Sequence, residues 1–411
     1  MSGSGQLQDA LTSGLGASRR IGVAVSGGSD SLALLHLLHA RNDVQLVAAT
    51  VDHGLRPEAR AEADHVAAIC LGLGVPHQRL GWTGWDGTGN LQDQARRARY
   101  RLLAEWGRVQ AVDAVAVGHT MDDQAETFLM RLARQAGVDG LAQMAVAFRR
   151  DGALFLRPLL GCRREDLRAF LRSKGVEWVE DASNDDVSFD RVRMRKALTL
   201  LEPLGIDAPG LSRVAGHMAS ARLALEARAA EIAGRIARVE AGDVVFDRAA
   251  LMALSFEDFR RLLVGALRLV SSAGYAARAE PIQKLQVQIA AGENATLQGC
   301  RVIVHASELR VTRELQAVAG LRVPSEALWD GRWQMKGPHR PGLHIAALGE
   351  VGLTGCKGWR DTGLSRETLV VSPAIWSENT LISAPIAGFA NGWRAELAYS
   401  RDDYAESLLS H

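Results

Sequence analysis

Six residues near the start of the chain, Ser26, Gly27, Gly28, Ser29, Asp30 and Ser31, combine two glycines, three hydroxyls and one carboxylate. They follow an apolar run and open a helical pattern. Backbone N–H groups at a helix start converge on one anion, and the helix dipole adds roughly 0.3–1 kcal/mol for a negative charge there. Gly27 and Gly28 permit close backbone approach, and Ser26, Ser29 and Ser31 add hydroxyl donors. The loop lacks the lysine of the commonest phosphate loop. Asp30 would repel a bare phosphate, so it calls for a cation, and Mg²⁺ is the natural partner. A serine-rich helix cap is the bland alternative; the full pattern after an apolar run favours pyrophosphate binding.

A second polar group is Gly118-His119-Thr120-Met121-Asp122-Asp123. His119 and Asp123 are four apart at a helix start, as are Asp122 and Glu126, so each pair shares a face. By residue type alone, Asp122 and Asp123 also suit ordinary acidic capping of a helix. A third group, Asp52-His53-Gly54-Leu55-Arg56, ends another apolar run. Arg96 belongs to a run with Arg97, Arg99 and Arg101, which fits either a solvated face or a set of phosphate partners.

These groups need a frame to bring them together. Ile21–Val25, Leu46–Val51, Val75–Leu80 and Val112–Gly118 are expected strands. Ser31–Ala40, which is apolar almost all round, Leu91–Trp106 and Asp122–Gln135 are expected helices, and Pro57 and Glu58 suit another helix start. The alternation predicts an α/β fold with a doubly wound parallel sheet covered on both faces. In such sheets ligands lie beyond the carboxyl ends of the strands, where all three polar groups fall. After about residue 203 the pattern changes. Leu211–Val239 and Ser255–Ser271 have helical spacing, and RVIVHASELRVTRE suggests a hairpin. From about 320 onward, short apolar runs split by Gly and Pro, with five tryptophans, predict a small β-rich module.

The chain has 411 residues, is 47% hydrophobic and 23% charged, and carries a net charge of +1, which fits a soluble globular protein of two or three domains. No apolar stretch approaches the roughly 18 residues of a membrane span, and the N-terminus does not resemble a secretory signal. Cys70, Cys162, Cys300 and Cys356 lie far apart and form neither a disulfide framework nor a zinc motif, as expected for a reducing cytoplasm. Arginine dominates the cations, with one cluster from Arg149 through Arg150, Arg157, Arg163, Arg164 and Arg168 to Arg172. A second holds Arg191, Arg193, Arg195 and Lys196.

SGGSDS resembles the signature of the N-type ATP pyrophosphatases, which cleave ATP between the α and β phosphates and adenylate a substrate. Segments 51–59, 95–100, 118–134, 178–195 and 296–314 look, in that order, like the tRNA(Ile)-lysidine synthetase family. The resemblance covers about 20–315. It implies that ATP adenylates C2 of the wobble cytidine in a CAU anticodon, releasing pyrophosphate. The amine of free L-lysine then attacks C2 and AMP leaves. The amine must arrive neutral, which from a pKa of ~10.4 costs about 4.6 kcal/mol at pH 7, so carboxylates and a desolvated pocket are expected.

On this resemblance, Ser26–Ser31, Asp52, His53 and Gly118 would bind ATP. Asp30 would hold Mg²⁺, His119 would lie near the phosphates or the adenylated base, and Asp122 and Asp123 would serve lysine, with Asp123 open to a metal role as well. Arg96 matches the first arginine of the family's A-R-x-x-R-Y helix and would neutralise charge on the α-phosphate. Arg193 and Arg195 would touch isoleucine tRNA. Val192 stands where the family usually has Asn, and Arg134–Gly137 departs from the usual R-G-S-G. The expected organisation is a catalytic domain at 1–210, a mostly helical tRNA-binding domain at 211–318 and a β-rich domain at 319–411. A tRNA thiolase would need well-placed cysteines, and no C-x-x-C is present. An inactive ATP-gated tRNA-binding protein is the non-enzymatic alternative. Many relatives are dimeric, but no stretch identifies a homodimer interface.

Overall fold

The computed structural model describes residues 7, 11, 14–54, 59–82, 91–180, 190–273, 277–397 and 404–409. The expected helix start at Pro57 and Glu58 lies outside the described residues, as does most of the 178–195 segment's loop. The chain forms two compact units, 1–222 and 223–411. No helix among the described residues is long and apolar enough to cross a membrane.

The first unit alternates β1 (Arg20–Ala24), α1 (Ser29–His39), β2 (Gln45–Asp52), α2 (Ala59–Gly72), β3 (His77–Gly81), α3 (Leu91–Val109), β4 (Ala114–Val117) and α4 (Met121–Ala133). A hairpin of β5 (Ala147–Arg150) and β6 (Ala153–Leu156) follows, then α5 (Arg164–Ser173) and α6 (Asp190–Leu201). The sheet order is β3-β2-β1-β4-β6-β5, parallel throughout except for β5 against β6. The order reverses beside β1, which pairs with both β2 and β4. The crevice beyond their carboxyl ends is where a doubly wound sheet binds ligands.

Side-chain alternation along β1 explains the two covered faces. Ile21 and Val23 join one core with Leu32, Leu35 and Leu38 of α1, and with Leu167 and Leu171 of α5. Ala24 joins the opposite core with Leu103 and Trp106 of α3. A Cβ on Gly22 would come within 2.6 Å of the Trp106 ring, so that glycine makes room for the tryptophan. The all-round apolar character of α1 is also explained, because it packs on the sheet and on α5. Each of its fully buried leucines contributes about 1.5–3 kcal/mol. Residues 149–172, expected only as an arginine cluster, hold most of the β5–β6 hairpin and α5.

A long helix, α7 (Ala208–Ile236), stops three residues earlier than its pattern suggested, because Ala237–Glu240 is drawn into a sheet as β7. The second unit adds β8 (Asp243–Asp247), α8 (Phe256–Ser271), α9 (Ala279–Ala290), β9 (Ala295–Leu297), β10 (Cys300–Val304) and β11 (Glu308–Arg313). β10 and β11 form the expected hairpin within a sheet of order β7-β8-β11-β10-β9. Phe259, Leu262, Leu263 and Ala266 of α8 pack on it. Beyond residue 320, a four-stranded sheet and a two-stranded ribbon enclose a core built around Trp329, Trp333 and Trp393, with Trp359 and Trp376 packed against it.

Candidate active site

SGGSDS is the turn from β1 into α1. Gly27 takes φ +88°, a left-handed value that glycine adopts at little cost. Ser31 ties the loop together. Its Oγ accepts from the Ser26 N–H at 3.1 Å, lies 3.2 Å from the Ser26 Oγ, and donates to the Gly28 carbonyl at 3.0 Å. Gly28 is the N-cap of α1 and brings no side chain to the first amides. Those amides are therefore available to an external anion. Gly118, at the end of β4, packs directly on the backbone of Asp30 and Ser31.

α4 starts with a capping box. The Thr120 Oγ1 accepts from the Asp123 N–H at 3.3 Å, while Asp123 Oδ2 accepts from the Thr120 N–H and O–H at 2.8 and 2.9 Å. The other oxygen, Asp123 Oδ1, faces Arg164 Nη2 at 3.4 Å and Arg191 Nη1 at 3.9 Å. The two roles open to Asp123, helix cap and site carboxylate, are thus taken by its two oxygens.

Arg164 is the centre of the cluster. Its Nε donates to Asp30 Oδ2 at 3.0 Å, and its Nη1 donates to Glu126 Oε1 at 3.2 Å. Its backbone N–H donates to Asp122 Oδ2 at 2.7 Å, so Asp122 caps α5, whose own N-cap Arg163 provides no side-chain bond. Glu126 is 1% exposed, and its Oε1 also accepts from Arg195 Nε at 3.0 Å. Its Oε2 is buried with no hydrogen-bond partner among the described residues.

Burial raises the Asp30 pKa, and Arg164 only partly offsets this. Burial acts the same way on Asp123, but Arg164 and further cations outweigh it and hold that carboxyl below its ordinary value. For Arg164, burial is overcome by Asp123, Asp30 and Glu126, which raise its pKa. His119 is buried, and desolvation holds its imidazole down to about 3; Asp123 opposes this, while Arg99, Arg157 and Arg191 reinforce it. His119 is therefore neutral at physiological pH, with a buried Nδ1 that has no partner among the described residues.

The other expected site residues have partners of their own. Asp52 ends β2, where Oδ1 accepts from the Gly54 N–H at 2.8 Å and Oδ2 from Arg79 Nε at 3.0 Å. His53 sits edge-on to Trp82, with ring centroids 5.7 Å apart. Arg96 is exposed over the Tyr100 ring, 5.4 Å from its centroid. Its helix neighbour Arg99 is half-buried, and its charge adds to the burial that lowers the pKa of both His53 and His119. Arg193 pairs with Asp190 on the exposed side of α6, whereas Arg195 turns to Glu126.

The described residues hold no group of three or more His, Cys, Asp or Glu side chains that could chelate a metal ion. Asp30 alone fits a Mg²⁺ that takes its remaining ligands from phosphate oxygens and water. To do so its carboxylate would have to leave Arg164.

Residues 4–202 match the PP-loop domain family. The chain is 48% identical to the tRNA(Ile)-lysidine synthase of Ruegeria pomeroyi, over 96% of this chain and 94% of that protein. This chain belongs to the tRNA(Ile)-lysidine synthase family. The Rhizobium meliloti lysidine synthase is 35% identical over 80% of this chain and 75% of its own length. That of Hyphomonas neptunium is 38% identical over 75% and 87%. Among solved structures, a U34-tRNA thiolase from Methanococcus maripaludis aligns at 17% identity over 53% of this chain and 78% of its own, with a TM-score of 0.45.

Within this lysidine synthase family member, sequence reasoning missed the central place of Arg164 and the inward turn of Arg99. One signal was present. Arg163 and Arg164 precede Glu165 and Asp166, acids suited to the first turn of a helix, where cations are favoured only if anions lie near.

Proposed function

We propose that this chain ligates free L-lysine to C2 of the wobble cytidine of isoleucine tRNA bearing CAU, with ATP converted to AMP and pyrophosphate. As a lysidine synthase it is a ligase that uses ATP to modify tRNA. In the first step the cytidine C2 oxygen forms a bond to the α-phosphorus while the bond to the departing pyrophosphate breaks. In the second step the lysine amine bonds to C2, the C2–O bond breaks, AMP carries the oxygen away, and the amine proton passes to a base.

One observation carries this reading: Arg164 ties Asp30 of the loop to Asp123 and Glu126 of α4. The groups suited to a phosphate and the groups suited to an amine thus adjoin. Ser26, Gly27, Gly28, Ser29 and Ser31, with the α1 amides, would hold the pyrophosphate. Asp30 would hold Mg²⁺, which lowers the charge on the phosphates. Asp123 and Asp122, with Glu126 beside them, would receive lysine and its proton. Neutral His119 would hydrogen-bond the phosphate or the adenylated base, and Gly118 would keep the loop in place. Asp52 and His53 would border the nucleoside, and Arg96 would meet the α-phosphate charge.

Arg193 and Arg195 would contact the tRNA backbone, as would the proposed domains 211–318 and 319–411. The protein would work in the cytoplasm, where its tRNA and free lysine are found. The test is release of pyrophosphate from ATP in the presence of unmodified isoleucine tRNA. Release that requires this tRNA supports the reading; conversion of ATP to ADP and phosphate contradicts it.

A further inference from the structure

Three carboxylates, Asp30 from the start of α1 and Asp123 and Glu126 from α4, all meet the guanidinium of Arg164 from a third helix, while Arg191 and Arg195 of α6 each reach only one of them, Asp123 at 3.9 Å and Glu126 at 3.0 Å. Like charges gathered this closely require a cation at their centre. Arg164 does not saturate them, because the buried Glu126 Oε2 has no partner among the described residues. An ammonium group has three donors and no acceptor, and so suits the surplus of acceptor oxygens.

We propose that Arg164 is a positioning residue that occupies the place of the substrate's ammonium group in the free protein and is displaced when lysine enters. The inference rests on lysine being the substrate.

The anchoring of Arg164 permits such a movement. Its backbone N–H is fixed by Asp122 at 2.7 Å, so the side chain can swing while α5 stays in place. The side chain is 16% exposed, at the edge of the site rather than sealed within it. As the first residue of α5 it lies at the positive end of the helix dipole, where Glu165 and Asp166 of the same turn and the three site carboxylates offset the cost. Once another cation neutralises them, Arg164 needs a new anion. Asp30 belongs to the phosphate loop, so the nearest such anion is a phosphate held there. Lysine entry and the turn of Arg164 toward phosphate are then one coupled event, and coupling between two ligands is reciprocal. Phosphate in the loop should draw Arg164 away and open the ammonium site.

The experiment titrates lysine into the full-length protein by calorimetry, with and without magnesium pyrophosphate as the probe, for wild type, Arg164→Ala and Arg164→Lys. Without pyrophosphate, Arg164→Ala should bind lysine about tenfold more tightly than wild type, the effect of removing an internal occupant that fills the site about nine-tenths of the time. Arg164→Lys retains an internal cation and should stay near wild type. Pyrophosphate should tighten lysine binding to wild type and leave Arg164→Ala unchanged, a linkage that a purely structural arginine would not show. Arg164→Ala binding no tighter than wild type overturns the proposal. So does a wild-type lysine affinity indifferent to pyrophosphate, which needs no variant to fold. Labelled lysine reaching tRNA with no measurable binding to the free protein overturns this inference alone. Failure of lysine to reach tRNA overturns the functional reading beneath it.

Discussion

Gly118 lies against the backbone of Asp30: a Cβ at Gly118 would stand 3.0 Å from the Asp30 carbonyl oxygen and 3.1 Å from its carbonyl carbon. The end of β4 thus braces the start of α1, and the brace consists of backbone, which cannot rotate aside.

Gly118→Ala should therefore displace the phosphate loop by a few tenths of an ångström. Overpacking of this kind costs about 1–3 kcal/mol of stability. A misplacement of about 1 Å costs about 100-fold in rate, so the smaller shift should lower kcat/KM for ATP by about tenfold. Steady-state kinetics checks this, and an unchanged kcat/KM would mean that the loop is not held from β4.

The two oxygens of Asp123 separate stability from chemistry. Thr120→Ala removes the capping partner and should cost about 1 kcal/mol, seen as a lower melting temperature. Asp123→Asn leaves an acceptor for the cap but removes the charge facing Arg164. Turnover should then fall by about 100-fold or more, alongside a loss of melting temperature from the broken pairing with Arg164. Turnover that falls no further in Asp123→Asn than in Thr120→Ala would reduce Asp123 to a cap.

His119 gives a pH signature. Its pKa of about 3 lies below the ordinary 6.5, so between these values the unfolded chain binds a proton that the folded chain does not. Stability must then fall as pH drops below the unfolded value. Asp123, held below 3.8, keeps its contribution above that value and loses it only at lower pH, so the two windows separate. Between about pH 6.5 and about 4.5, wild type should lose up to about 1.4 kcal/mol per pH unit more than His119→Gln. Parallel chemical-unfolding curves for the two proteins would contradict a buried neutral imidazole.

Arg193 and Arg195 sit two apart on α6 but face different partners. Arg193→Ala should weaken tRNA binding and reduce the salt slope by about one ion. Arg195→Ala should do this and also lower turnover, because Glu126 loses a donor. Filter binding across salt concentrations, paired with turnover, distinguishes them. Identical behaviour of the two variants would contradict the division.

Much of the first unit was legible because local signals agreed. The strand–helix alternation, the glycine pair after β1 and the acidic start of α4 each have a short-range cause. The sheet order then brings Asp30 and the α4 carboxylates to the same edge, as the polar strand ends implied. Arg164 was not legible as a site residue, since its partners lie up to 134 positions away and its cluster resembles a solvated face. The inward turn of Arg99 rather than Arg96 depends on how α3 packs through Tyr100 and Leu103 onto the sheet. The β7–β11 sheet was half seen, because only its β10–β11 hairpin is local in sequence.

The most direct measurement incubates the protein with ATP, Mg²⁺, labelled lysine and unmodified isoleucine tRNA bearing CAU, then counts acid-precipitable label. The account predicts label that requires ATP and disappears in Asp123→Asn. No label on the tRNA, with the protein folded and ATP present, would contradict it.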